Sequence, residues 1–225
     1  MTIPPSTLVE IKLLIFDLDG TLADTQMDLA LSVNAMRQQL DLPPLPHELI
    51  VTYVGHGATQ LVRRSLGGNP PDDQLERGLA LFMEHHRHHL LDNTTAYPGV
   101  AEALRQLRDR KMAILTNKST DLSWEILRGL GLASYFSFVY GGDSFPQKKP
   151  EPAGVLKLMQ DLQVPAVRTM LVGDSDTDVL TGRNAGVWTC AVTYGFGAAT
   201  LKSTPPDLLL DDMRELPPLL GGRPA

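Results

Sequence analysis

Asp17 and Asp19 stand one residue apart in Phe16-Asp17-Leu18-Asp19-Gly20-Thr21, directly after the apolar run Ile11-Lys12-Leu13-Leu14-Ile15. Two carboxylates at this spacing suit a nucleophile and its acid: one can attack phosphorus while the other handles protons. In an extended segment, period-two alternation points both side chains the same way, and Gly20 lets the backbone turn sharply beside a bound group. A short apolar run bounded by Asp and Gly reads as a buried strand of a parallel sheet, and ligands of such sheets bind at the carboxyl ends of the strands. Alone, the same residues also describe a strand running into an Asp-Gly turn. Three further signals tip the balance.

Thr116-Asn117-Lys118 follows the strand-like Met112 to Leu115 and offers a hydroxyl, an amide and backbone N–H groups near a helix start, a favourable setting for a phosphate. Lys148-Lys149-Pro150-Glu151-Pro152 supplies a cation just before a helix, where a lysine can neutralise phosphate charge. Gly173-Asp174-Ser175-Asp176-Thr177-Asp178 gathers carboxylates at a strand end and helix start, the hard oxygen ligands that Mg²⁺ prefers. Each has an ordinary reading as a helix cap, a solvated lysine pair or favourable acids at a helix N-terminus. Four such signals in order, each at a strand end, favour phosphate chemistry.

The elements that must position these groups alternate helix and strand from Val100 onward: Val100 to Arg110, Met112 to Leu115, Asp121 to Leu130, Phe138 to Tyr140, Pro152 to Leu162, Thr169 to Val172, Thr177 to Ala185, Trp188 to Val192 and Leu208 to Leu210. This alternation predicts an α/β fold with a doubly wound parallel sheet. Between the first strand and Tyr97 only helical patterns occur, beginning with Asp24 to Leu40 and the proline-rich Leu42 to Pro46. That block is too long for a crossover connection and predicts an inserted α-helical cap over residues 24–97, with the catalytic core formed by 1–23 and 98–225. The tail Leu216 to Ala225, rich in Pro and Gly, reads as frayed.

Composition narrows the function classes. With 43% hydrophobic and 20% charged residues the chain has ordinary globular composition, and no apolar stretch approaches the roughly 18 residues a bilayer span requires. Met1 to Glu10 shows no signal-peptide pattern, which predicts a cytoplasmic protein. A formal charge of −6 argues against nucleic acid as partner. Cys190, the only cysteine, excludes internal disulfides and reads as a buried, inert thiol. Trp124 and Trp188 fall on apolar faces and read as core. In Glu84-His85-His86-Arg87-His88-His89, His85 and His89 share a helical face, but with no third ligand placed the run reads as a solvated or packing face.

Through Asp17-Leu18-Asp19-Gly20-Thr21, Thr116-Asn117, Lys149-Pro150 and Gly173-Asp174 with Asp178, the chain resembles the haloacid dehalogenase superfamily. Tyr97-Pro98-Gly99, Gly141-Gly142-Asp143, Lys148 to Pro152 and Thr193-Tyr194-Gly195 resemble its phosphoglycolate phosphatase branch. The resemblance implies a Rossmann-like core with a helical cap, and Asp17 as a nucleophile that forms an aspartyl phosphate. Asp19 would protonate the leaving oxygen and then activate water. Mg²⁺ would be held by Asp17, Asp19 through its backbone oxygen, and Asp174. Thr116 and Asn117 would bind the transferring phosphoryl group, Lys149 would neutralise it, and Asp178 would orient the metal or Lys149. An acid at Asp19 separates phosphatases and mutases from dehalogenases of the superfamily. The lysine-free stretch from Asp24 to Tyr97 removes the phosphonate-cleaving relatives, which need a cap lysine.

Substrate choice falls to the cap, where Val54-Gly55-His56-Gly57 reads as a loop ahead of Arg63-Arg64, and His56 or Arg63 is the expected contact to a substrate carboxylate. The reading is a Mg²⁺-dependent phosphomonoester hydrolase acting on a small phosphorylated metabolite, 2-phosphoglycolate first, as a monomer or homodimer. The alternatives are a phosphatase for a sugar phosphate, nucleotide or pyrophosphate, and a hexose phosphomutase.

Overall fold

The computed structural model describes residues 8–221; the readings of residues 1–7 and 222–225 lie outside them. Numbered along the chain, β1 (Leu13–Phe16) is followed by the short β2 (Ala23–Asp24) and β3 (Thr95–Ala96), then β4 (Lys111–Leu115), β5 (Phe138–Tyr140), β6 (Thr169–Gly173), β7 (Trp188–Val192) and β8 (Leu208–Leu210). Six of these form one parallel sheet in the order β5-β4-β1-β6-β7-β8. The chain winds outward from β1 to one edge and then crosses β1 to build the other half. The crevice at the carboxyl ends of β4, β1 and β6 is therefore the topological switch point where ligands of such sheets bind.

All four residues of β1 are fully buried, as a central strand of a two-sided sheet requires. Alternation sends Leu14 and Phe16 with Met112, Ile114, Met170 and Val172 into the larger core cluster. Leu13 and Ile15 join Ala113, Leu115 and Leu171 on the opposite face. The first face is covered by helices α5 (Val100–Gln106) and α6 (Thr120–Gly129), the second by α7 (Ala153–Leu162), whose Val155, Leu158 and Leu162 are buried there. Helix α8 (Asp176–Ala185) follows β6.

Between β2 and β3 lie four helices: α1 (Gln26–Gln39), α2 (His47–Val51), α3 (Ala58–Ser65) and α4 (Asp72–His88). They enclose their own apolar cluster, with Val33, Met36, Ile50, Leu61, Val62 and Phe82 at its centre. The antiparallel pair β2–β3 ties the two ends of this helical segment together beneath it. The Asp28 carboxylate, buried on α1, reinforces the tie by accepting hydrogen bonds from Asn93 and Thr94: two backbone N–H groups, the Asn93 amide and the Thr94 hydroxyl, at 2.7–3.0 Å.

Three expectations are corrected. The first helix begins at Gln26, because Ala23 and Asp24 are drawn into pairing with Ala96 and Thr95. The tail does not fray where it is described: Leu216–Leu219 form the short helix α9, and Leu216 and Leu220 are fully buried in the larger core cluster. Trp124 and Trp188 pack only partly against that core. Trp124 carries the Arg128 guanidinium over its ring, and the Trp188 indole donates to the Val167 carbonyl at 3.2 Å. Cys190 is buried, and burial raises its thiol pKa well above the ordinary value. No helix of the described residues is long and apolar enough to cross a membrane.

Candidate active site

Asp17 is the first residue beyond β1, and its N–H still donates to the Val172 carbonyl at 2.9 Å, so the sheet itself sets where the carboxylate stands. The chain then turns tightly: the Leu18 carbonyl accepts from the N–H groups of Thr21, Leu22 and Ala23. Gly20 makes this possible in two ways. Its φ of +85° is a conformation side chains avoid, and a Cβ there would lie 2.5 Å from Asp174 Oδ2. Gly195 faces Asp174 from the other side at a distance that also admits no Cβ, and the Gly197 N–H donates to Asp174 Oδ2 at 2.8 Å. The Asp174 carboxylate is thus cradled by backbone.

Lys149, buried at the loop before α7, is the hub. Its ammonium lies 2.9 Å from Asp17 Oδ1 and 2.6 Å from Asp178 Oδ1. The approach to Asp17 lies off the hydrogen-bonding directions, so Asp17 Oδ1 has charge compensation but no directed donor. The other Asp178 oxygen accepts from the N–H groups of Asp174 and Ser175 and from the Ser175 hydroxyl, closing the N-terminus of α8. Both Asp178 oxygens are therefore engaged, and this residue holds Lys149 and the helix start.

These burials tune the charges. Asp17 is pushed up to about 6, first by burial and then by Asp178, with Lys149 opposing. Asp174 is raised well above the usual carboxylate range by burial, then Asp178 and Asp17. For Lys149 burial works downward, yet the two carboxylates outweigh it and its pKa rises above that of an ordinary lysine.

Carboxylate oxygens of Asp17, Asp174 and Asp178 lie within 4.8 Å of one another. With Asp178 committed to Lys149 and the cap, Asp17 and Asp174 remain as the hard-oxygen pair available to a cation. Four carboxylates, Asp17, Asp19, Asp174 and Asp178, face two ammonium groups, Lys149 and Lys118, so the site carries excess negative charge that a divalent cation would neutralise. The residues fit such an ion.

The neighbouring loop departs from simple phosphate binding. Thr116 lines the cavity, and its Oγ1 accepts from the Lys118 N–H at 3.3 Å, which leaves the hydroxyl proton free to donate. The Asn117 amide, by contrast, is fully used: it donates to the carbonyls of Gly55 at 2.9 Å and Lys149 at 3.2 Å and accepts from the Lys149 N–H at 3.0 Å. Asn117 positions Lys149 and tethers the loop before α3 to the core. Lys118, which the sequence placed in the motif without a role, reaches Asp19 at 3.3 Å from both oxygens, and Thr25 donates to Asp19 Oδ1 at 2.8 Å. Adjacency to Thr116-Asn117 was the available signal.

A cavity of about 160 Å³ opens from Asp17, Asp19 and Asp174 toward the helical segment. Its far wall is formed by Val54, Gly55, Gly57, Phe82 and His86 among others; His56 and Arg63 do not line it. His56 is half-buried beside Arg64 and Asp176, and burial followed by Arg64 lowers its pKa. In the histidine run, His85 stacks on His89 while His86 points inward to stack on Phe82. The histidine of this run that reaches the cavity is His86, which the i,i+4 pair His85/His89 does not include.

Residues 14–192 match the sequence profile of the haloacid dehalogenase-like hydrolases. A phosphoglycolate phosphatase from Chromobacterium violaceum is 41% identical over 215 residues, covering 93% of this chain and 96% of the relative. One from Neisseria meningitidis is 37% identical over 221 residues, covering 94% of each. Among solved structures, a predicted phosphoglycolate phosphatase from Haemophilus somnus superposes with a TM-score of 0.85 at 29% identity, over 92% of this chain and 96% of that one.

Proposed function

Because this chain belongs to the haloacid dehalogenase-like hydrolases, we propose that it is a phosphoglycolate phosphatase, converting 2-phosphoglycolate and water to glycolate and phosphate. The observation that carries the chemistry is the Asp17–Lys149–Asp178 line at the end of β1, with Asp174 across from it and Asp19 on the following turn. Residues 24–97 act as a cap over a core of residues 1–23 and 98–225, closing the cavity against bulk water. The single, buried Cys190 is compatible with a cytoplasmic setting.

An oxygen of Asp17 bonds to phosphorus while the bond from phosphorus to the ester oxygen breaks, and Asp19 gives its proton to the departing oxygen. Asp19 then takes a proton from water, whose oxygen attacks the aspartyl phosphate, releasing phosphate and restoring Asp17. Lys149 offsets the repulsion between carboxylate and phosphoryl group, and the Thr116 hydroxyl donates to a phosphoryl oxygen. Asp17 and Asp174, with the Asp19 backbone oxygen, would hold Mg²⁺, which when bound supplies further charge neutralisation at the phosphoryl oxygens.

The test is phosphate release with Mg²⁺ and with EDTA across phosphoglycolate, hexose phosphates, nucleotides and pyrophosphate. A kcat/KM for phosphoglycolate about 100-fold above the rest, lost in EDTA, is expected. A different preferred ester would keep the phosphatase and discard the substrate.

A further inference from the structure

Resting on the phosphoglycolate reading, we infer that Lys118 recognises the carboxylate of the leaving group and sets the preference for an anionic two-carbon ester.

Among the described residues no arginine lines the cavity, and only Lys118 and Lys148 bring ammonium groups to it. Lys148 is exposed at the rim, where its ammonium lies 3.0 Å from where a Cβ on Gly57 would stand. Lys149 is locked between Asp17 and Asp178. Lys118 differs: its side chain is only 6% exposed, and it meets Asp19 at 3.3 Å from both oxygens. A well-formed ammonium–carboxylate bond runs at about 2.7–2.9 Å, and an ammonium carries three donors. Lys118 is thus a buried cation with donor capacity in hand.

Its place is the one the substrate demands. Asp19 must stand beside the ester oxygen to protonate it, and in phosphoglycolate a single carbon separates that oxygen from the carboxylate. A cation paired with Asp19 is therefore next to where the carboxylate has to lie.

The lining also includes the apolar Leu29, Leu61, Phe82 and Leu122, with His86 among them. His86 is 2% exposed, and its Nε2 has no hydrogen-bond partner. Burial and then the nearby Lys118 charge push the imidazole pKa down to about 2, so the ring is neutral. Its Nδ1 lies 3.3 Å from Ser32 Oγ, whose own proton goes to the Asp28 carbonyl at 2.7 Å, so Nδ1 donates to Ser32 and Nε2 offers the carboxylate no proton, which leaves Lys118 as its donor.

The experiment compares phosphoglycolate with 2-hydroxyethyl phosphate, in which a neutral CH₂OH replaces the carboxylate, at saturating Mg²⁺. Wild type, Lys118→Met, Lys118→Arg and His86→Phe are measured as the ratio of the two kcat/KM values, so that any common loss through Asp19 or through stability cancels. One charge-assisted hydrogen bond predicts a fall in that ratio of about 10–100-fold for Lys118→Met, mostly in the phosphoglycolate KM. Lys118→Arg should recover part of the preference, and His86→Phe, which removes no donor to the carboxylate, should keep the wild-type ratio. If wild type prefers phosphoglycolate and Lys118→Met keeps the wild-type ratio, the inference is wrong while the function stands. If wild type shows no preference for phosphoglycolate yet hydrolyses other esters, the substrate reading falls and the inference with it.

Discussion

At the scale of single residues, the site is a problem of like charges. Asp17, Asp174 and Asp178 stand close enough to repel, and among the described residues Lys149 is the one cation that touches two of them. Removing it leaves buried carboxylates uncompensated, which costs about 3–5 kcal/mol when a buried partner is deleted. It also removes the group that lets a carboxylate approach a phosphoryl dianion. Lys149→Met should therefore lower kcat/KM about 10³-fold, the scale on which preorganised charge contributes, and shift the urea midpoint downward. A variant with full phosphate release would show that Lys149 is structural only. The neighbouring Asn117 illustrates why residue type alone misleads. Its amide reads from sequence as a phosphate ligand, yet every polar atom of it is spent on Gly55 and Lys149.

At the scale of elements, the two halves of the chain are joined by features with no local signature. Asp28 accepts hydrogen bonds from Asn93 and Thr94, more than sixty positions away in sequence, and so fixes α1 to the strand that leads out of the helical segment. Asp28→Ala would orphan buried donors of both residues, a loss of about 3 kcal/mol. For a chain of this size that lowers Tm by about 6–12 °C, to be read by calorimetry on the metal-free protein; an unchanged Tm would remove Asp28 as the tie. The strands of the sheet were legible because each is a short apolar run closed by turn residues: Phe138–Tyr140, Trp188–Val192 and Leu208–Leu210 have the same bounds in sequence and structure. The strands β2 and β3, two residues each, have no period to read and exist only because they meet each other. The polar groups at the strand ends were legible for the same topological reason, since a parallel sheet gathers them at one edge. The far wall of the cavity was not: whether His56 or His86 of the helical segment faces the core depends on how helices pack, which neither residue's neighbours encode.

At the scale of the whole molecule, the crowding of carboxylates makes stability a function of pH and of cation. In the metal-free protein Asp17 titrates near 6 when folded, against 3.8 for an ordinary aspartate. A folded pKa above the unfolded one means that the folded state holds the proton more tightly, so the contribution is favourable below pH 3.8 and is lost as pH rises through about 6. Above that, the fold carries an ionised, buried Asp17 at a cost of about 3 kcal/mol. A divalent cation bound by Asp17 and Asp174 offsets that cost and binds only the folded chain. At a concentration 100 times its Kd it stabilises by about 2.7 kcal/mol, which for this length is roughly 5–10 °C in Tm. Below pH 6 the cation must displace a proton from Asp17, so its effect shrinks. The Tm gap between melts with and without Mg²⁺ should therefore be markedly smaller at pH 5 than at pH 7.5, and abolished in Asp174→Asn. An equal Mg²⁺ shift at both pH values, or one that survives Asp174→Asn, would place the ion elsewhere on the molecule and detach the acid cluster from metal binding.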